Sequence, residues 1–188
     1  MNHLGNNKIR VLFCGDFISK SPQQIRLSDE FKNLMQECHF KCLNFEGAIA
    51  LGNPIPIKGT AVLPQSKNSP EWCEKNGFNV ISLANNHMVD YDQEALIATM
   101  NAFKSAMLIG AGDWDEAYQV KRVEINGLHI GFLALAQCEF GILNDNWGAN
   151  NLLGSAWINH SKVNSLIQKE KQTLDYLFVI THAGIEYY

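Results

Sequence analysis

Short apolar runs, each closed by polar or glycine-rich residues, punctuate the chain. Ile9 to Cys14 is β-rich and ends in Gly15-Asp16, which predicts a buried strand followed by a tight turn. Leu27 to Glu37 predicts a helix, with Phe31, Leu34 and Met35 on one face and Ser28 near its start. Phe40 to Phe45 and Phe78 to Leu83 predict a second and a third strand. Between them, Gly47 to Ser69 carries Pro54, Pro56, Pro64, Gly52 and Gly59 and predicts a long loop with short extended pieces. Loops of that length inside a compact domain usually serve function. Pro70 to Asn76 predicts a short helix that opens on proline.

Tyr91 to Ala106 predicts a longer helix, because Ala95, Leu96, Thr99, Met100 and Phe103 recur at helical spacing. Met107 to Ile109 predicts a fourth strand, closed by Gly110-Ala111-Gly112. These glycines read as a sharp turn, since the third glycine of a dinucleotide loop would fall at Asp115. Val120 to Ile125 and Leu128 to Leu135 flank Asn126-Gly127, a type I′ hairpin signal. Asn144 to Asn151 reads as a polar loop, His160 to Lys171 as a helix and Leu174 to Ile180 as the last strand. The alternation of strands and helices predicts an α/β domain with a mostly parallel sheet covered on both faces. No repeat or linker divides residues 1–188, so a single domain is expected.

With 46% hydrophobic and 18% charged residues, the 188-residue chain is neither a disordered segment nor a coiled coil. A net charge of −4 argues against a nucleic-acid binder. The polar N-terminus has no leader-like apolar segment, and no run approaches the roughly 20 apolar residues of a membrane span. A cytoplasmic location is the default expectation. The five cysteines are odd in number and lack C-x-x-C spacing, which argues against a disulfide scaffold or a zinc ribbon. Cys38, His39 and Cys42 have no second cysteine or histidine pair to complete four ligands. A cysteine nucleophile stays open as an alternative.

Candidate chemistry sits at the strand ends. The first strand delivers Asp16, the second Asn44 and Glu46, the third Asn85, Asn86 and His87, and the last His182 and Glu186. In open α/β sheets ligands bind beyond the carboxyl ends of the strands. Asp16, Glu46, Asn86 and His182 are thus expected to converge on one crevice. Singly, each has a plainer reading. Asp16 after glycine can bond its own turn, Asn86 can cap the next helix, and His87 can be an ordinary hydrogen-bonded histidine. Together, a mixed set of carboxylate, amide and imidazole donors suits manganese, iron or zinc.

Five motifs then resemble, in order, the CapA family of capsule and poly-gamma-glutamate biosynthesis proteins. They are Gly15-Asp16, Leu43-Asn44-Phe45-Glu46-Gly47, Ser82 through Tyr91 with its Ala-Asn-Asn-His core, Gly110-Ala111-Gly112, and His182 through Tyr187. The resemblance implies a calcineurin-like metallophosphatase fold, a four-layer sheet sandwich with flanking helices, and a two-metal site. By that analogy Asp16, Glu46, Asn86 and His182 are metal ligands and His87 is the catalytic acid. Asn44, Asn85, Asp90 and Glu186 stand beside them, and Lys58 faces an anionic substrate. The resemblance also implies divalent metal cofactors, a phosphoester or acidic-polymer substrate and association with the cell envelope. It leaves homo-oligomerisation open. Three departures stand out. The first strand has no D-x-H pair, only Asp16, which is itself usual in the family. The family's usual glycine two residues after Asp90 is Asp92 here, and the family's later histidine block is not in this sequence, so a C-terminally truncated member is expected. A metal-dependent hydrolase and a non-catalytic accessory domain for an anionic polymer are the two functions this implies.

Overall fold

The computed structural model describes residues 8–55, 62–137, 142–143 and 153–184. Lys58, Cys138, Glu186 and the expected loop Asn144 to Asn151 lie outside the described residues.

Two sheets carry the fold. The first is parallel, in the order β1 (Val11–Phe17), β2 (Phe40–Phe45), β3 (Val80–Ser82), β4 (Met107–Ile109). In the second, β7 (Leu128–Ala136) pairs in parallel with β10 (Tyr176–His182) and antiparallel with β6 (Lys121–Ile125). A small third sheet joins β5 (Ala111–Gly112), β9 (Gly154–Ala156) and β8 (Ile142–Leu143). Helices α1 (Asp29–Gln36), α2 (Ser69–Lys75) and α3 (Asp92–Ala102) pack on the first sheet; α4 (Trp114–Ala117) and α5 (Ser161–Glu170) pack on the second.

Side-chain alternation sorts the core into layers. On β2, Phe40 and Cys42 face the second sheet, whereas Leu43 and Phe45 face the helices. On β10, Phe178 and Ile180 enter the seam between the sheets, and Leu177 points toward α5. The order is therefore helix, sheet, sheet, helix. The four-layer sandwich implied by the resemblance is present, and the single sheet covered on both faces is corrected to two sheets packed face to face. The central strands β2, β3 and β7 are buried on nearly every residue, so their sequences carry little alternation to reveal a second sheet.

Several elements differ from the sequence expectation. The first strand is half exposed at a sheet edge and continues through Gly15 and Asp16 to Phe17, rather than turning there. Leu34 is exposed, and Met35 carries the buried face of α1, whose N-cap is Ser28. Gly110 and Gly112 take positive φ, but Ala111–Gly112 is a short strand rather than only a turn. The hairpin is as expected, with φ of 52° at Asn126 and 75° at Gly127. At the sheet–sheet seam, a Cβ on Gly110 would lie 2.6 Å from Ala84 Cβ and 2.7 Å from Ala134 Cβ. Among the described residues no helix is long and apolar enough to cross a membrane.

Candidate functional site

The ends of β1, β2, β3 and β10 meet at one mouth of the seam. Asn44 follows Phe40 and Cys42 on the seam face of β2, and His182 follows Phe178 and Ile180 on the seam face of β10. Asp16 joins them through a bulge. Phe13 pairs with Cys42 and Asp16 with Asn44, so β1 spends three residues where β2 spends two. Leu12, Cys14 and Phe17 pack with the helices, while Phe13 meets Phe178 across the seam. Without the extra residue, Asp16 would face the helices too; a bulge re-aims a side chain in this way.

Asn44 Nδ2 donates to Asp16 Oδ1 at 2.6 Å and lies 3.2 Å from His182 Nδ1. Asp16 Oδ1 and His182 Nδ1 are 3.5 Å apart. Two ligands of one tetrahedral ion, at bond lengths of 2.0–2.2 Å, stand about 3.4 Å apart. The 3.5 Å separation is close to that spacing, with the Asn44 amide nitrogen in contact with both atoms.

Behind it, the turn after β3 builds a second pair. Asn85, fully buried, donates from Nδ2 to Phe45 O at 3.0 Å and to Asn44 Oδ1 at 3.3 Å. Its Oδ1 accepts from the backbone N–H of His87 at 3.1 Å and of Gly47 at 3.3 Å. His87 Nδ1 lies 2.8 Å from Asp90 Oδ2, and His87 Nε2 lies 3.9 Å from Glu46 Oε1. Asp90, fully buried, also accepts from Leu63 N at 3.0 Å, which ties the long loop to the same carboxylate. Burial, and then the Asp90 carboxylate, push the Tyr91 phenol up from its ordinary pKa.

The structure thus gathers Asp16, Asn44 and His182 in one contact set, and Glu46, His87 and Asp90 in another. Asn85 links the two. Asn86 lies in the same turn; α3 opens at Asp92 with Tyr91 as its N-cap, so Asn86 does not cap that helix. Asp16 bonds Asn44 across strands rather than serving its own turn. Among the described residues no three His, Cys, Asp or Glu side chains gather to hold an ion by themselves. The donors present, a carboxylate and an imidazole, are of the types that hold a divalent ion, while Asn44 turns its amide nitrogen toward both and its oxygen toward Asn85. Burial pushes the Cys42 and Cys73 thiols up to about 12, so both are neutral thiols rather than nucleophilic thiolates at ordinary pH.

Two buried residues of this site carry no signal in the sequence. Ser155 Oγ lies 3.0 Å from Leu83 O and 2.8 Å from Asn85 O, and also 3.3 Å from Asn85 N, clamping the third strand end. Gln65 does the same for the first two strands. The strand ends they hold are reached through backbone atoms distant in sequence, so no motif marks either residue.

Several known proteins are similar to this chain. Residues 10–188 match the family described as bacterial capsule synthesis protein PGA_cap. The capsule biosynthesis protein CapA of Bacillus anthracis is 29% identical over 115 residues, 59% of this chain and 28% of that protein. A crystal structure of a putative 5′-nucleotidase from Staphylococcus aureus, in complex with α-ketoglutarate, matches with a TM-score of 0.54 at 18% identity. That match covers 95% of this chain and 38% of the nucleotidase chain. The calcineurin-like phosphoesterase YfkN from Bacillus subtilis matches with a TM-score of 0.49 at 14% identity, over 95% of this chain and 63% of its own. This chain thus spans less than two thirds of the length of each of these relatives. The match to the family model along residues 10–188 makes this chain a member of the bacterial capsule synthesis protein family.

Proposed function

We propose that the chain is a metal-dependent hydrolase of the capsule synthesis family, acting on a phosphoester at the mouth between the sheets. The observation that carries this reading is the 3.5 Å approach of Asp16 Oδ1 to His182 Nδ1, close to the spacing of two ligands on one ion, with a buried histidine–aspartate pair beside it. Asp16 and His182 would hold one ion, Glu46 and Asn86 a second. Bound divalent ions lower the pKa of a water and neutralise phosphoryl charge.

The chain's own residues do the rest. Asp90 accepts from His87 Nδ1 and fixes the ring so that Nε2 points toward Glu46 and the mouth. As a water oxygen bonds to phosphorus and the bond to the leaving oxygen breaks, His87 Nε2 gives that oxygen its proton. General acid catalysis of this kind contributes about 10²–10⁴-fold. Asn44 and Asn85 keep the two contact sets at fixed separation, and Lys58 is a candidate contact for the substrate's negative charge.

A second reading, an accessory domain that binds an anionic polymer such as poly-gamma-glutamate without cleaving it, is favoured by one observation. Among the described residues, no three acid, thiol or imidazole side chains are placed so as to hold a metal ion together. Equilibrium dialysis against Mn²⁺ or Zn²⁺, followed by hydrolysis of p-nitrophenyl phosphate, separates the two. The hydrolase reading expects metal binding that Asp16→Ala removes, and turnover that His87→Ala lowers by about 10²-fold or more. Metal binding without turnover supports the accessory reading, and no metal binding sinks the hydrolase.

A further inference from the structure

Gln65 lies in the loop between β2 and α2 and is 2% exposed. Its backbone bridges Ile49 in parallel, with Gln65 N donating to Ala48 O at 3.3 Å and Ala50 N donating to Gln65 O at 3.1 Å. Its side chain reaches the other way. Nε2 donates to Phe17 O at 2.7 Å and to Glu46 O at 3.4 Å. Oε1 accepts from Ser19 N at 2.9 Å and from Ser69 Oγ at 3.0 Å. A side-chain amide offers two donor hydrogens and two acceptor lone pairs. All of that capacity is used inside the protein.

The two carbonyls it holds are informative. Phe17 directly follows Asp16, and Glu46 is itself a candidate ligand. The β1–β2 register ends at Phe17 and Phe45, so Glu46 stands one residue beyond the last paired position. Glu46 N donates back to Phe17 O at 3.0 Å, and Gln65 Nε2 bonds both partners of that final contact. The bulge before Asp16 has already loosened the ladder here. A tie from outside the sheet replaces the missing rungs.

We propose that Gln65 is a positioning residue whose buried amide ties the ends of β1 and β2 and fixes the spacing of Asp16 and Glu46 at the mouth. This rests on the metal-dependent reading of that mouth. Partners that orient metal ligands are typically worth 10–100-fold in metal affinity.

The test compares the full chain with Gln65→Met, which keeps length and bulk but loses all four hydrogen bonds. Val163→Ala, buried in α5 on the far side of the second sheet, serves as a stability control. Two quantities are read: exchange of the Glu46 amide by NMR, and the Mn²⁺ dissociation constant. Gln65→Met should speed Glu46 exchange and weaken Mn²⁺ binding by about tenfold, while Val163→Ala should change neither beyond its global loss of stability. Unchanged Glu46 exchange overturns the proposal. So does faster exchange with wild-type Mn²⁺ affinity, which would make Gln65 structural only. If the unmodified chain binds no Mn²⁺, the hydrolase reading fails, and the exchange measurement alone decides whether Gln65 holds the strand ends. Should Gln65→Met not fold, Gln65→Glu keeps both acceptor contacts, lacks both donors and is read by the same exchange criterion.

Discussion

Asp16 and His182 belong to different sheets, yet Oδ1 of one lies 3.5 Å from Nδ1 of the other. The contact exists because β1 holds one residue more than β2 between Phe13 and Asp16. Gly15, which a Cβ could occupy without meeting any neighbour, falls inside that bulge. Deleting Gly15 should restore a regular ladder and turn Asp16 toward the helices. Mn²⁺ binding should then fall to the level of Asp16→Ala, while circular dichroism still reports a folded α/β domain. Wild-type metal affinity in the deletion variant would mean that the bulge does not aim Asp16.

At Gly110 the two sheets approach closely. This glycine has a φ of +87°, and an added Cβ would collide with Ala84 and Ala134, whose Cβ atoms cannot rotate away. Gly110→Ala combines left-handed strain with overpacking, so it should cost about 2–5 kcal/mol. Chemical denaturation measures this directly. A loss below about 1 kcal/mol would mean that the sheets separate freely at this point.

Asp92 holds a φ of +77°, at the position where the family resemblance leads one to expect glycine. Aspartate tolerates this region better than most residues, helped here by its own Oδ1 accepting from Gln93 N at 2.6 Å. Asp92→Gly should stabilise by about 0.5 kcal/mol, and Asp92→Ala should destabilise by about 1 kcal/mol. The order of the two variants in a denaturation series is the check; a more stable alanine variant would contradict the assignment.

Glu74 Oε1 accepts from the backbone N–H of Lys104, Ser105 and Ala106 at 2.6–2.8 Å. Burial alone would raise its pKa, but these bonds and the Ser105 hydroxyl outweigh it and hold the carboxyl below the ordinary glutamate range. A carboxyl depressed in the folded state stabilises above its unfolded value, about 4.3, and that contribution fades as pH falls through the lower folded value. Glu74→Gln should therefore cost about 1 kcal/mol at neutral pH. Its deficit relative to the unmodified chain should close in acid. A deficit that does not vary with pH would exclude the charge as its cause.

The same carboxylate explains a boundary the sequence misplaces. Apolar periodicity carries the expected helix to Ala106, but Glu74 takes the amide hydrogens of residues 104–106, and α3 ends at Ala102. That competitor sits on another helix and leaves no local trace. By contrast, Phe40 to Phe45 and the Asn126-Gly127 hairpin were legible, because one is a bounded apolar run and the other needs positive φ at two adjacent residues. At the site, the strand-end rule led one to expect Asp16, Glu46, Asn86 and His182 together; Asp16 meets His182, and Glu46 lies instead beside His87. The bulge that aims Asp16, and the buried ties of Gln65 and Ser155, depend on register and on contacts across the chain, which no spacing rule encodes.

The bulge that turns Asp16 toward the second sheet also sets when the mouth is completed. The first sheet is built from residues 11–109 and can assemble as soon as they are available. Asp16, aimed into the seam, then waits for a partner near the opposite end of the described chain. Closing so long a loop is entropically slow, and contacts of high sequence separation form late. The Asp16–His182 contact is thus completed only once β10 has docked, and a chain without that strand in place presents one member of the pair without the other.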